Sequence, residues 1–278
     1  MQIALVYNPH MAQARLAKVA ALAKVLAARG HSLAHHDSQA FRSSGEDLIC
    51  VCGGDGTAQL VISNQGDCAA LPRVAVYPTG TINLLARELG YPADPEAFAR
   101  RIEDRRDPVS SRLATINGRP FLCCVSVGAD AHAVAALSEP LKARIGRFAY
   151  VAALLKVMAH WPRQAVTVES SAGPFSAEAM FVLRGNLYAG PWTLDAQAGL
   201  GHDSLRLIVL PKARRRDMIR LMLHAFAGSG KPPRGWPVHD VQWVRTTGQT
   251  ALPMQIDGDA AGTTPLDIRM TGDSMRFA

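Results

Sequence analysis

The sequence predicts an α/β N-terminal domain on a parallel sheet, residues 1–110, followed by a mainly antiparallel β domain over 111–278. Three observations carry this. Short apolar runs at 3–7, 47–52 and 73–77 each pass through a turn signal into a helix-like stretch. Beyond about residue 109 the pattern becomes a series of closely spaced strand-like runs. Only two helix-like stretches, roughly 141–160 and 217–227, interrupt that second series.

The first strand, 3–7, is ended by Asn8-Pro9. Leu16, Val19, Ala23 and Leu26 then recur at helical spacing, and Gly30 stands where a helix C-terminus takes its left-handed residue. The strand at 48–52 runs straight into Gly53-Gly54-Asp55-Gly56-Thr57 and an apolar stretch at 58–64. The strand at 73–77 repeats this order, through Pro78-Thr79-Gly80-Thr81-Ile82-Asn83 into a helix over 84–89 closed by Gly90. In the second half, runs at 112–116 and 121–127 are joined by Asn117-Gly118, a hairpin signal because both positions favour positive φ. Further strands are expected at 165–169, 175–183, 205–210, 238–244, 253–256 and 266–270. Pro162 and Gly228 stop the two helices.

With 278 residues and 48% hydrophobic side chains the chain can bury two cores. Thirty Lys and Arg against 23 Asp and Glu give a net charge of +7, which favours anionic partners. The five cysteines (Cys50, Cys52, Cys68, Cys123, Cys124) contain no C-x-x-C pair, so reduced, mostly buried thiols are expected. The chain opens on an apolar strand without a basic leader, and 148–161, its longest apolar stretch, is broken by Lys156. A secretory signal and a membrane span of about 18 residues are therefore not expected, although a membrane could be touched.

The chemistry gathers at three places. Three glycines in the five residues 53–57 let backbone come close to a phosphate, and the following helix start adds partial positive charge. Asp55 stands where a carboxylate could reach Mg²⁺ or its waters. Thr79 and Thr81 offer hydroxyls and N–H groups in the second turn, and Thr81 could cap the helix behind it. Parallel strands bring successive turns to one sheet edge, so both turns can face one ligand. The third place is Asp257-Gly258-Asp259, after the strand at 253–256. Asp-Gly is an ordinary hairpin turn, but a kinase acting on a hydroxyl needs a carboxylate to take its proton, and Asp257 is the candidate.

Set in order, Asn8-Pro9, the 53–57 run, 78–83 with Ala86-Arg87, Val127-Gly128-Ala129-Asp130-Ala131, Asn186 with Tyr188-Ala189-Gly190, and Asp257-Gly258-Asp259 before Thr264-Pro265-Leu266 resemble the diacylglycerol kinase catalytic-domain family over nearly the whole chain. That family includes bacterial lipid kinases and sphingosine kinases, and the 53–57 run is shared with NAD kinases. The resemblance implies a NAD kinase/diacylglycerol kinase-like α/β domain, a β-sandwich-like C-terminal domain, and a cleft holding ATP, Mg²⁺ and a lipid hydroxyl. It implies Asp257 as base and Asp55 acting through metal and water. Asn8, Gly53, Gly54, Gly56, Thr57, Thr79, Gly80, Thr81, Asn83 and Asp259 would bind the nucleotide. It leaves open whether the last strand returns to the first domain.

Several positions depart from the family pattern. Gln59-Leu60 stands for Asn-Glu, Asn83-Leu84 for Asn-Asp, His10-Met11 for Ser-Gly, and Gly201-His202-Asp203-Ser204 for an acidic Asp-Asp-Gly. The segment 31–47 is short enough to lack a helix present in relatives. The expectation is an ATP-dependent, cytoplasmic kinase of diacylglycerol or a related long-chain alcohol, with a NAD kinase or a weak nucleotide or lipid sensor as alternatives. Its expected partner is the lipid substrate, and no nucleic acid is expected; a homodimer stays open, and Arg214-Arg215-Arg216 read first as a solvated charged face, with contact to an anionic membrane as the alternative. An acyl-chain pocket along 137–161 and mere core packing of that segment remain equal alternatives.

Overall fold

The computed structural model describes all residues except 67, 69, 105–107, 137–152, 154, 155, 158–162 and 189. The helix expected over 141–160, the acyl-pocket segment and Ala189 therefore lie, apart from residues 153, 156 and 157, outside the described residues. Two compact units form, Met1–Leu113 with Gly272–Ala278, and Ala114–Thr271.

In the first unit the order is β1 (Gln2–Tyr7), α1 (Gln13–Ala28), β2 (Ser32–Asp37), β3 (Leu48–Gly53), α2 (Asp55–Ser63), β4 (Arg73–Pro78), α3 (Leu84–Glu88) and α4 (Pro95–Glu103). The strands run parallel in the order β2-β1-β3-β4. All six residues of β3 are buried, as expected of a parallel strand covered on both faces. β2 has no apolar run to announce it, since His35, His36 and Asp37 suit an edge strand, so it is legible only through its pairing with β1. No helix follows it between 38 and 47. α1 buries Val19, Leu22 and Leu26 and ends at Gly30, φ 81°. α4, not anticipated from the sequence, starts with Pro95 in its first turn and with the Asp94 carboxylate accepting from the Ala97 N–H at 2.8 Å. Its Phe98 packs edge-on against Tyr77 of β4.

The remaining elements are β5 (Val109–Ile116), β6 (Arg119–Phe121), β7 (Cys124–Val127), α5 (Ala129–Ala135), β8 (Val166–Ser170), β9 (Gly173–Ala177), β10 (Ala179–Leu183), β11 (Leu187–Tyr188), β12 (Trp192–Thr193), β13 (Leu205–Leu210), α6 (Arg215–Phe226), β14 (Val238–Val241), β15 (Trp243–Thr247), β16 (Pro253–Ile256), β17 (Asp259–Thr263) and β18 (Asp267–Phe277). One antiparallel sheet has the order β14-β13-β10-β7-β16-β17, and a second layer pairs β18, β15, β8 and β9. Val127, Met180, Val182, Leu207 and Val209 from the first meet Val168, Val244 and Ile268 from the second in one buried cluster, a sandwich core. The end of β18 belongs to the first unit, where Phe277 pairs with Val74 and the Tyr91 hydroxyl donates to the carbonyl of Ala278.

Three runs expected as single strands are each divided between layers: 121–127 into β6 and β7, 175–183 into β9 and β10, and 238–244 into β14 and β15. Apolar content runs through all three, so periodicity does not reveal the corners. Polar groups take up the backbone there. The Glu178 N–H donates to the Leu210 carbonyl at 3.0 Å, and the Gln242 N–H donates to Ser171 Oγ at 2.9 Å. At 122–124 the N–H groups turn to Asp257. The loop 199–204 closes on the buried Arg184, whose guanidinium donates to the carbonyls of Gly199, Leu200 and His202 at 3.0, 2.5 and 3.0 Å. All five cysteines are free and buried.

Candidate active site

In the first unit three turns leave the same carboxyl edge of the parallel sheet, after β1, β3 and β4. β2 and β3 flank β1 on opposite sides, so the sheet order reverses beside β1, and the carboxyl edge at such a point is where open α/β sheets bind ligands. Asn8 closes the β1 turn, its side-chain oxygen accepting from the His10 N–H at 2.8 Å.

The 53–57 run divides differently from a simple loop. Gly53 ends β3, Gly54 is the helix N-cap, and Asp55, Gly56 and Thr57 form the first turn of α2. An added Cβ on Gly53 would lie 2.5 Å from the Cβ of Thr57, so the strand enters the helix too tightly for a side chain. The glycine cap brings no side-chain acceptor. Early helix N–H groups have no carbonyl one turn back, and with the helix dipole they favour an anion.

The turn after β4 is drawn against this one. The Thr79 N–H donates to Gly53 O at 3.2 Å, and a Cβ on Gly80 would meet Gly54 Cα at 2.7 Å. Asn83, in the left-handed region at φ 57°, closes its own turn: Gly80 N–H donates to its Oδ1 and its Nδ2 donates to Gly80 O, each at 2.9 Å. Thr79 is buried and Thr81 exposed.

The capping expected of Thr81 belongs instead to Asp55. Leu84 N–H donates to Asp55 Oδ2 and Leu85 N–H to Oδ1, both at 2.9 Å. A buried carboxylate on the first helix start thus holds the second, and the two turns become one rigid piece. Asp55→Ala is expected to lose about 2–4 kcal/mol in urea unfolding, because two buried N–H groups lose their acceptor. Asp55→Asn, which keeps one acceptor oxygen, should lose less.

In the second unit, Asp257-Gly258 is indeed a hairpin turn, joining β16 to β17 with φ 51° and 92°. The carboxylate nevertheless turns inward. Asp257 Oδ2 accepts from the Leu122 N–H at 2.8 Å, and Oδ1 accepts from Cys123 and Cys124 at 2.7 and 2.9 Å. These are the N–H groups released where the run 121–127 changes sheets, so the strand break and the carboxylate explain each other. Charge-assisted bonds of this kind hold the group in one orientation. Asp259, one residue past the turn, is exposed on β17.

The motif at 127–131 supplies another buried carboxylate. Asp130 accepts from the hydroxyls of Ser126 and Tyr188, and burial raises its pKa despite them. The 127–131 motif marks the position without exposing this partnership, since Tyr188 is 58 residues away.

The profile of the diacylglycerol kinase catalytic domain matches residues 2–113, and that of the YegS C-terminal NAD kinase beta sandwich-like domain matches 123–278. Among similar proteins, "Diacylglycerol kinase" of Staphylococcus carnosus (strain TM300) is 26% identical over 222 residues, covering 79% of this chain and 72% of that one. The protein of the same name in Bacillus subtilis (strain 168) is 25% identical over 223 residues, covering 79% and 73%. Among solved structures, a putative diacylglycerol kinase from Bacillus anthracis str. Sterne superposes with TM-score 0.74 at 19% identity, covering 100% and 95%. An NAD kinase from Archaeoglobus fulgidus, solved with ATP, gives 0.51 at 13%, covering 100% and 93%. These two likenesses are of fold.

Proposed function

This chain belongs to the diacylglycerol kinase catalytic-domain family, and on that premise we propose that it transfers the γ-phosphoryl group of ATP to a hydroxyl of diacylglycerol or a related long-chain lipid alcohol. The observation that carries the reading is the pair of glycine turns joined on one sheet edge through Asp55, Gly54 and Gly80. Their glycines leave room for phosphate oxygens to approach the backbone, and the start of α2 supplies N–H donors and positive potential. These features fit a nucleotide's phosphates.

Asp55 fits direct metal ligation less well, because each oxygen already accepts an N–H. We assign it to coupling the turns; Mg²⁺ bound with the nucleotide would neutralise phosphate charge, and Asp55 would hold it only through water. In the reaction the acceptor oxygen bonds to the γ-phosphorus, the bond to the bridging oxygen breaks, and ADP leaves. We assign Asp257 to receive the hydroxyl proton. Its three N–H partners keep the carboxylate from rotating away, and the left-handed backbone of the hairpin turns it inward.

The test is incubation with γ-labelled ATP and total lipid extract, with NAD in a parallel reaction, followed by mass identification of the labelled product. Label in a phosphorylated long-chain alcohol is expected. Label on NAD would replace the lipid by a dinucleotide, and tight ATP binding without product from any acceptor would leave a sensor.

A further inference from the structure

We propose that the outward face of α6 docks this protein onto an anionic lipid surface, an inference that rests on the reading of the acceptor as a membrane lipid. α6 buries Asp217, Met218 and Leu221, and the opposite face carries Arg215, Arg216, Ile219, Arg220 and Leu223. At 100° per residue these five fall within one arc, with Ile219 and Leu223 one turn apart inside it and arginines at both borders. Ile219 is 47% exposed and Leu223 62%; among the described residues the one other large exposed hydrophobic side chain is Leu60, at 39%. The only acidic residue of the helix, Asp217, is turned away from this face.

Arg214, grouped with its neighbours on sequence grounds, serves a different purpose. Its Nε donates to Asp217 Oδ2 at 2.8 Å. Burial opposes the charge of Asp217, but the bonds from Arg214 outweigh it and hold the carboxyl below its ordinary range. That carboxylate, in the first helical turn, offsets the cations crowded at the helix start. Arg215, Arg216 and Arg220, the last also donating to the Arg234 carbonyl at 3.2 Å, form the exposed basic border of an aliphatic patch. Such a patch matches an anionic bilayer: guanidinium groups meet headgroup phosphates while Ile219 and Leu223 enter the boundary beneath. A purely acidic protein partner would use the arginines and leave the aliphatic pair in water.

The experiment is sedimentation of the intact protein with vesicles of phosphatidylcholine, with and without phosphatidylglycerol. The wild type should bind the anionic vesicles and leave the neutral ones. Arg216→Ala with Arg220→Ala should weaken binding about 30-fold, and Ile219→Ser with Leu223→Ser at least about tenfold, including at high salt. Turnover on diacylglycerol within vesicles should fall in parallel, while turnover on a short-chain diacylglycerol dissolved as monomers stays unchanged. Unaltered vesicle binding in both double variants overturns the proposal, as does equal binding to neutral vesicles. A wild type that phosphorylates diacylglycerol neither in vesicles nor dissolved would instead remove the kinase reading, a result separable because sedimentation needs no turnover.

Discussion

Asp257→Asn is expected to lower phosphoryl transfer by about 10²- to 10⁴-fold, the usual contribution of a positioned general base, with the Michaelis constant for ATP nearly unchanged. The substitution suits the backbone, because asparagine accepts the left-handed conformation seen at φ 51° about as readily as aspartate. It removes the charge and exchanges one acceptor oxygen for a donor. The three bonds from Leu122, Cys123 and Cys124 cannot then all persist, since the amide nitrogen must face at least one N–H. A stability loss of about 1–3 kcal/mol should accompany the kinetic effect. Single-turnover rates per folded molecule, with the melting temperature with and without ATP, separate the two. A variant that turns over at near-normal rate would take the base role from Asp257, and a variant that also loses its ATP-induced rise in melting temperature would make the residue a fold determinant first.

Gly80→Ala is expected to reduce kcat/KM for ATP about 10²-fold through a raised Michaelis constant, measured by steady-state kinetics. The new Cβ would sit 2.7 Å from both Gly54 Cα and Asn83 Oδ1, and 3.1 Å from Gly54 N. Backbone occupies most of that space, so the two turns must separate, and shifts of about 1 Å at a positioned site cost this much. The cause is room, as Gly80 has no positive φ. Gly272→Ala is the control: nothing lies within 4 Å of its Cβ and its φ is ordinary, so kinetics there should match the wild type.

Much of the fold could be read from the chain because its signals are local. Asn117-Gly118, Asp257-Gly258, Gly30 and Gly90 stand at turns or helix ends with the positive φ their types permit. The buried strands β1, β3 and β4 were legible from apolar runs that need both faces covered. β2 and α4 were not, the first because an edge strand can be polar, the second because only Phe98, Ala99 and Ile102 of its nine residues are buried. The divided strands escaped for a related reason. Continuous hydrophobicity says that a segment is buried without saying in which layer.

The sequence by itself determined the turns made by glycine, Asn-Gly and Asp-Gly, the main apolar strands and which residues could handle phosphate and protons, since these signals act on their immediate neighbours. Only the tertiary structure decided what each carboxylate holds. Asp55 meets N–H groups 29 and 30 residues ahead, and Asp257 meets three lying 133 to 135 residues behind. Hydrogen bonds act over about 3 Å of space regardless of separation along the chain, so their partners exist only once sheets and corners have formed.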